Sequence, residues 1–495
     1  MSSIFFWNII YASNQEGWQT DSMEKIFRLK ENGTTAATEV IAGITTFMAM
    51  AYIIAVNPNL LTNFDVGSPL WNSVFLATCI SSAIGTLCMA FLANKPFCMA
   101  PSMGLNAFFV VVVTNIAAVT GLTYLESFRS ALCIIFIEGI LFLILSLINL
   151  REKIVDAIPL GIRIGISPAI GLMLMNIGFG SNVGVYDESG NVYYVMADFF
   201  GSISPSFIKD RMGDSYPLMV LTVVTIFTGL FTIIILSHRN IKGAILIGIL
   251  TASAVHWICS FLFLKTNPFE ALSGASFVPA FSDMVDTTLF KLNFSGLVRM
   301  GWFVMITLII TFCIIDLFDT IGSLVGAAQS GGIMDDKGNM PNMKEALVSD
   351  AVATIAGSLT GTSTVTTFAE SSSGVEAGGR TGLTALTAGI LFLLSAFLAP
   401  VVAIIPAAAT SSALIYVGFL MLKMLKKLDF DDSSQAFPVF IMLLAMPISG
   451  SIGHGIGLAL ITYTFIKVFT GKAKDVSALT YVLSAIFLLK FFVSA

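Results

Sequence analysis

The chain has 495 residues, of which 56% are apolar and only 11% charged, with a mean hydropathy of +0.89. A charged share about half that of an ordinary soluble domain cannot solvate a globular surface of this size, so the bilayer is the main solvent and no large soluble domain fits. The net charge of −5, without a basic cluster, offers nucleic acid no surface.

Residues 1–22 carry Phe5, Phe6 and Trp7 but no basic segment ahead of the apolar run and no small-residue cleavage site. They read as an N-terminal extension rather than a signal peptide, with Met23 a candidate start. The stretch 23–34 opens with MEKIFRLK, which alternates basic and apolar residues as a short helix on the cytoplasmic surface does. Apolar windows near the roughly 20 residues that cross a bilayer then recur along the chain.

Spans are placed near 38–56, 72–93, 100–119, 128–149, 158–180, 216–237 and 241–264. An extracellular loop at 265–298 separates them from spans near 300–325, 345–361, 362–380, 382–400, 403–425, 435–449 and 452–470. This gives an all-α polytopic protein of about fourteen segments, a first repeat over 35–264 and a second over 299–470. An apolar tail follows at 471–495, and its stretch 476–493 reads as either a further span or a surface helix. With the N-terminus inside, Lys and Arg gather at inner span ends (Lys95, Arg151, Arg239, Lys242, Lys423, Lys426, Lys427). Few fall outside (Arg129, Lys209, Arg211, Lys265, Lys291, Arg299), which fits a multi-pass protein of the cell (plasma or inner) membrane with both termini cytoplasmic.

The halves resemble each other. GILFLILSLINL (139–150), followed by AIP, has a counterpart in GILFLLSAFLAP (389–400), followed by IIP. With seven spans per half the second copy enters from the opposite side, the inverted-repeat plan by which secondary transporters build two gates around one site. The third segment of each half, APSMGLNAFF (100–109) and GTSTVTTFAESSSG (361–374), is rich in Pro, Gly, Ser and Thr. Non-helical backbone persists at membrane depth only where protein or a water-filled cavity satisfies it. Each segment therefore reads as a short extended stretch leading into a helix, with the two helix N-termini facing a polar site near the midplane.

Within TLIITFCIIDLFDTIGSLVG (307–326), Asp316, Asp319, Thr320 and Ser323 make one polar stripe on an apolar helix. An acid at the bilayer centre costs on the order of 3 kcal/mol, so such residues are rare and usually functional. Glu370 opens the second broken helix and Asn106 holds the matching place in the first. Asp319 with Thr320 reads equally as a tie between helices or as a direct participant. Glu39 and Glu138 read as span-end residues that snorkel, and His454 as a packed or interfacial histidine. The six cysteines lie in or beside apolar segments and read as packing residues rather than disulfides or metal ligands. There is no GxxxxGK[ST] loop, no GxSxG and no His/Cys cluster, so neither an enzyme nor an ATP-driven pump is indicated, and no cofactor or metal is expected.

The motifs GITTFMAMAYIIAVNP (43–58), APSMGLNAFF, CIIDLFDTIGSL (313–324) and TFAESSSGVEAGGRTGLTAL (367–386) together resemble the AzgA-type adenine, guanine and hypoxanthine permeases of the nucleobase/ascorbate transporter superfamily, from about Met23 to the C-terminus. The resemblance implies fourteen spans in two inverted sevens, with a core domain of spans 1–4 and 8–11 and a gate domain of spans 5–7 and 12–14. It also implies a homodimer and a site between short strands in spans 3 and 10. It assigns substrate contacts to Asp316 and Glu370 with Asn106 nearby; on chemical grounds Phe108 and Phe368 are the aromatic neighbours expected to stack on the ring, and Asp319, Thr320 and Thr364 are expected in coupling or structural polar roles. The function it implies is import of purine bases by proton symport. Sodium coupling, a xanthine or uracil permease, and an anion transporter of the sulfate permease type remain as alternatives. Glu370 is followed by three serines, Ser371 to Ser373, where the xanthine/uracil branch carries Asn, which favours the purine branch.

Overall fold

The computed structural model describes residues 23–63, 65–148, 159–180, 216–272, 275–330, 333–334, 340–449 and 452–493; the extension 1–22 lies outside the described residues. The first span is two helices, α1 (Ala36–Met50) and α2 (Ile53–Leu61), interrupted at Ala51 and Tyr52. Thr35 caps α1 by accepting the Thr38 N–H, and Pro58 sits inside α2. Helix α3 (Pro69–Cys88) starts where Ser68 accepts from Trp71, with proline at the first helical position, where no N–H is needed. Strand β1 (Met99–Pro101) leads into α4 (Met103–Thr120), and a reciprocal Thr123–Glu126 capping box opens α5 (Tyr124–Leu147). Helices α6 (Leu160–Phe179), α7 (Tyr216–His238) and α8 (Ala244–Cys259) complete the first half.

The region expected as a plain extracellular loop contains two short helices, α9 (Phe281–Thr287) and α10 (Phe294–Val298). Arg129 of α5 anchors it by donating to the carbonyls of Thr287 and Asp286. The second half comprises α11 (Trp302–Ser330), α12 (Met343–Thr360), β2 (Val365–Thr367), α13 (Ser371–Glu376), α14 (Gly382–Ser395), α15 (Ala399–Ala403), α16 (Ala407–Leu422), α17 (Ser433–Ser449) and α18 (Ile452–Phe469). The apolar tail forms α19 (Ala478–Val493), packed on α18 and α11, with Phe487 buried against Gly457. Among the described residues, eleven helical stretches are long and apolar enough to cross a membrane. The segments placed at 345–361, 362–380 and 435–449 correspond to α12, to β2 with α13, and to α17, which are more polar or shorter.

Packing falls into two groups. Helices α1 to α5 pack with α11 to α14, whereas α6 to α8 pack with α16 to α18, and only sparse contacts cross between them, such as α4 on α6. Exchanging the halves reproduces the pattern: α5 packs on α12 as α14 packs on α3, and α6 packs on α17 as α16 packs on α7. The strands obey the same exchange. β1 pairs antiparallel with β2 in the register Met99↔Thr367, Ala100↔Thr366, Pro101↔Val365, so the ladder joins the two inverted copies at its own midpoint.

Such a ladder survives in an apolar bundle only if its outer edges find partners. The Met99 N–H donates to Thr86 Oγ1 at 2.9 Å, and Thr354 Oγ1 donates to the Val365 carbonyl at 3.1 Å. Pro101 has no N–H to satisfy. The pairing continues beyond the strands through Phe368 N–H to Cys98 O (3.0 Å) and Ser102 N–H to Thr364 O (3.1 Å). Gly361 starts the turn into β2 at φ +118°, and a Cβ there would lie 2.3 Å from Thr288 Oγ1, so only glycine fits.

Two acids differ from expectation. Glu39 does not snorkel: it is fully buried, and its carboxylate accepts from the N–H groups of Arg380, Thr381 and Thr384 and from Thr384 Oγ1. It thereby fills the N-terminus of α14, where free N–H groups and the helix dipole favour an anion. Glu138 is equally buried, on the side of α5 that faces β2.

Candidate functional site

The site forms where α1 breaks, where the two strands cross, and where the polar stripe of α11 faces them. Glu370 occupies the position just before α13, and its Oε1 accepts from the Tyr52 hydroxyl at 2.7 Å. Tyr52 is 1% exposed and lies at the joint between α1 and α2, so its bond links the first span to the residue that precedes α13. On α11, Asp319 accepts from Ser102 Oγ at 2.5 Å, a short charge-assisted bond that ties the stripe to the end of β1. Asp319 and Glu370 are both only partly buried and lie within electrostatic reach of each other. Residues 361–368 are all buried, yet Ala369 is exposed, so the backbone opens onto accessible space just before Glu370.

Asp316 lies in a different environment. It is fully buried, and its Oδ1 contacts Thr320 Oγ1 at 3.1 Å; the same hydroxyl lies 2.9 Å from Oδ1 of Asp350 on α12. The stripe therefore serves two neighbours, because residues three apart on a helix are offset in direction: Asp319 turns to β1 and Glu370, and Asp316 with Thr320 turns to α12.

Asn106 joins an amide and hydroxyl network. Its Nδ2 donates to Asn57 Oδ1 at 2.6 Å, and its Oδ1 accepts from Ser363 Oγ. Asn57 donates in turn to Thr78 (2.7 Å) and Thr362 (2.9 Å), so α2, α3, α4 and the turn before β2 are fastened together. Thr364 donates to Glu138 Oε2 at 2.9 Å. Phe108 is buried with its ring 4.6 Å from that of Phe312, and Phe368, 7% exposed, follows β2 directly.

Among the expected site residues, the structure brings Asp319 and Glu370 together, while Asp316 and Asn106 lie in adjoining buried networks. Tyr52, Ser102, Asn57, Ser363 and Asp350 were not singled out in the sequence, and Glu138 was read only as a snorkelling span-end residue. Asn57 before Pro58 in mid-span and Asp350 within an apolar segment were the available signals. Tyr52 gave none, since an aromatic in a span is ordinary.

Two inverted copies whose broken segments pair across a polar, acid-lined centre define a polytopic membrane permease, a transporter rather than an enzyme. The Xan_ur_permease profile, described as a permease family, matches residues 37–452. The chain is 40% identical over 469 residues to a putative permease of Methanocaldococcus jannaschii, covering 95% of this chain and 98% of that one. It is 35% identical to the adenine permease AdeQ of Escherichia coli (98% of each chain) and 36% identical to the guanine/hypoxanthine permease PbuO of Bacillus subtilis (94% and 100%). The chain belongs to this nucleobase/ascorbate transporter family, as its motifs implied. Its fold is also that of the transmembrane domain of the cyanobacterial bicarbonate transporter BicA, at a TM-score of 0.58 and 13% identity over 84% of this chain and 97% of that one. SLC26A9 shares it at a TM-score of 0.57 and 11% identity, over 88% and 65%. At such identities the likeness concerns the fold alone.

Proposed function

We propose that the chain imports purine nucleobases, with hypoxanthine, guanine and adenine as candidates, by proton symport and alternating exposure of one midplane site. The observation that carries this reading is the pair of accessible carboxylates, Asp319 and Glu370, at the strand crossing. A purine presents ring N–H groups and exocyclic donors that carboxylates accept, in bonds about twice as strong as neutral ones. Relatives named as adenine and guanine/hypoxanthine permeases match almost the full chain, which supports the substrate class. Carboxylates that take up a proton on the outer side and release it inside couple the base to the proton gradient. Asp316, linked through Thr320 to Asp350, backs this pair, and Asn106 sets the opposite wall with Phe108 and Phe368. In this reading the α1–α5 and α11–α14 group carries the site past the α6–α8 and α16–α18 group, in a cell-membrane homodimer with cytoplasmic termini.

The test is uptake of labelled hypoxanthine with competition by adenine, guanine, xanthine, uracil, sulfate and bicarbonate. Purines should compete, whereas uracil and the anions should not. Competition by the anions alone would restore the anion-transporter reading that the shared fold permits. An imposed pH gradient in proteoliposomes should drive uptake without sodium; dependence on sodium at fixed pH would replace the proton as coupling ion. Retention of uptake by both Asp319→Ala and Glu370→Ala would remove the site assignment.

A further inference from the structure

We propose that Tyr52 is a positioning residue for substrate recognition: its hydroxyl holds Glu370 Oε1 so that Oε2 is presented to the N–H of a purine base. This rests on the nucleobase reading of the same site and adds to it a third segment, the broken first span.

Three observations carry the proposal. A phenol that is 1% exposed requires a partner, and its hydroxyl has Glu370 Oε1 at 2.7 Å. Among the described residues no other side chain hydrogen-bonds to Glu370, which is only partly buried and follows exposed Ala369. Finally, Tyr52 lies at the joint where α1 ends at Met50 and α2 begins at Ile53, so its hydrogen bond ties the middle of the first span to the start of α13.

Chemistry then separates the two oxygens. A glutamate side chain has three rotatable bonds, and without an anchor its carboxylate averages over several orientations. A donor fixed to one oxygen from a buried ring removes that freedom before substrate arrives, and preorganisation of this kind appears as affinity. Five residues further along, Asn57 fixes Asn106 by accepting from its Nδ2 at 2.6 Å. The first span thus orients one polar side chain from each broken segment, Asn106 in the first half and Glu370 in the second.

The alternative is that Tyr52 only ties α1 to α13. Tyr52→Phe distinguishes the two, because it removes a single oxygen and keeps the ring packing. The expected result is a KM for hypoxanthine raised about tenfold with Vmax within about twofold of wild type, the loss typical of one hydrogen bond to a charged group. In purified protein, Tyr52→Phe should weaken hypoxanthine binding about tenfold alone and by less than twofold in a Glu370→Gln background. A KM within twofold of wild type, a loss confined to Vmax, or an equal cost in both backgrounds overturns the proposal. If the Phe variant is not produced, Tyr52→His, which retains a ring and an N–H donor, should keep KM within about threefold; a tenfold rise overturns it too. Unchanged binding in Glu370→Gln alone would instead sink the site reading, so the two failures differ.

Discussion

Substituting Glu39 with Gln tests whether a buried acid at the membrane edge is structural. The carboxylate has four donors: the Arg380 N–H at 2.8 Å on Oε1, and the N–H groups of Thr381 and Thr384 (both 3.2 Å) with Thr384 Oγ1 (2.6 Å) on Oε2. Glutamine can place its one oxygen at the three-donor position, and its NH2 then faces the Arg380 N–H, donor against donor. With Glu39 fully buried, no water relieves that contact. One orphaned buried donor costs about 1–3 kcal/mol, and losing a charge at a helix N-terminus costs about 0.3–1 kcal/mol more. The sum is about 1–4 kcal/mol for Gln and more for Ala, which abandons all four donors. Thermal unfolding of detergent-purified protein, followed by size-exclusion chromatography, should rank wild type above Gln above Ala, with Gln several degrees below wild type. A Gln variant as stable as wild type would refute the capping argument, because the geometry leaves amide and N–H no other arrangement.

Further outcomes follow from the site and its supports. Asp319→Asn should abolish concentrative uptake, while Ser102→Ala, which deletes one donor to that carboxylate, should lower transport about tenfold, read as initial rates at fixed membrane abundance. Gly361→Ala should reduce the amount of folded protein sharply, because its φ of +118° and the Thr288 side chain both oppose a Cβ; fluorescence-detected chromatography of a tagged protein measures this. Outside the membrane, Asp432 caps the start of α17 by accepting from Ser434 Oγ (2.7 Å) and Ser434 N–H (2.9 Å), and the Ser434 hydrogen bonds hold its carboxyl below the usual range, with Lys467 and Lys472 assisting. A depressed folded-state value means stability present above the ordinary carboxylate range and lost as pH falls through the lowered one. Asp432→Ala should therefore cost about 0.5 kcal/mol near neutrality, allowing for solvent screening, and less in strong acid, as seen in unfolding midpoints against pH.

Much of this architecture was legible in the sequence because lipid imposes simple demands. Continuous apolar windows gave most helices to within a few residues, and the Pro, Gly, Ser and Thr content of 100–109 and 361–374 marked the two broken segments correctly. What the sequence concealed was direction. Asp316 and Asp319 read as one stripe, yet an offset around the helix sends one to α12 and the other to β1. Glu39 and Glu138 looked peripheral because position along a span says nothing about which neighbour lies alongside. Tyr52 was silent for the same reason: its meaning depends on an acid 318 residues away.

The two-strand ladder has a consequence for biosynthesis. Pro101 pairs with Val365, so β1 leaves the ribosome about 265 residues before its partner exists. At roughly 5–20 residues per second the delay is tens of seconds. During that time the peptide groups of 98–102 sit at membrane depth without their ladder, a state hydrocarbon tolerates poorly. The first half must therefore wait in the insertion machinery, or shelter the strand against water or its own hydroxyls such as Thr86, until the second half is threaded. Folding of this permease is thus a late closure between two inserted halves, and a chain truncated before residue 365 leaves the membrane holding an open edge.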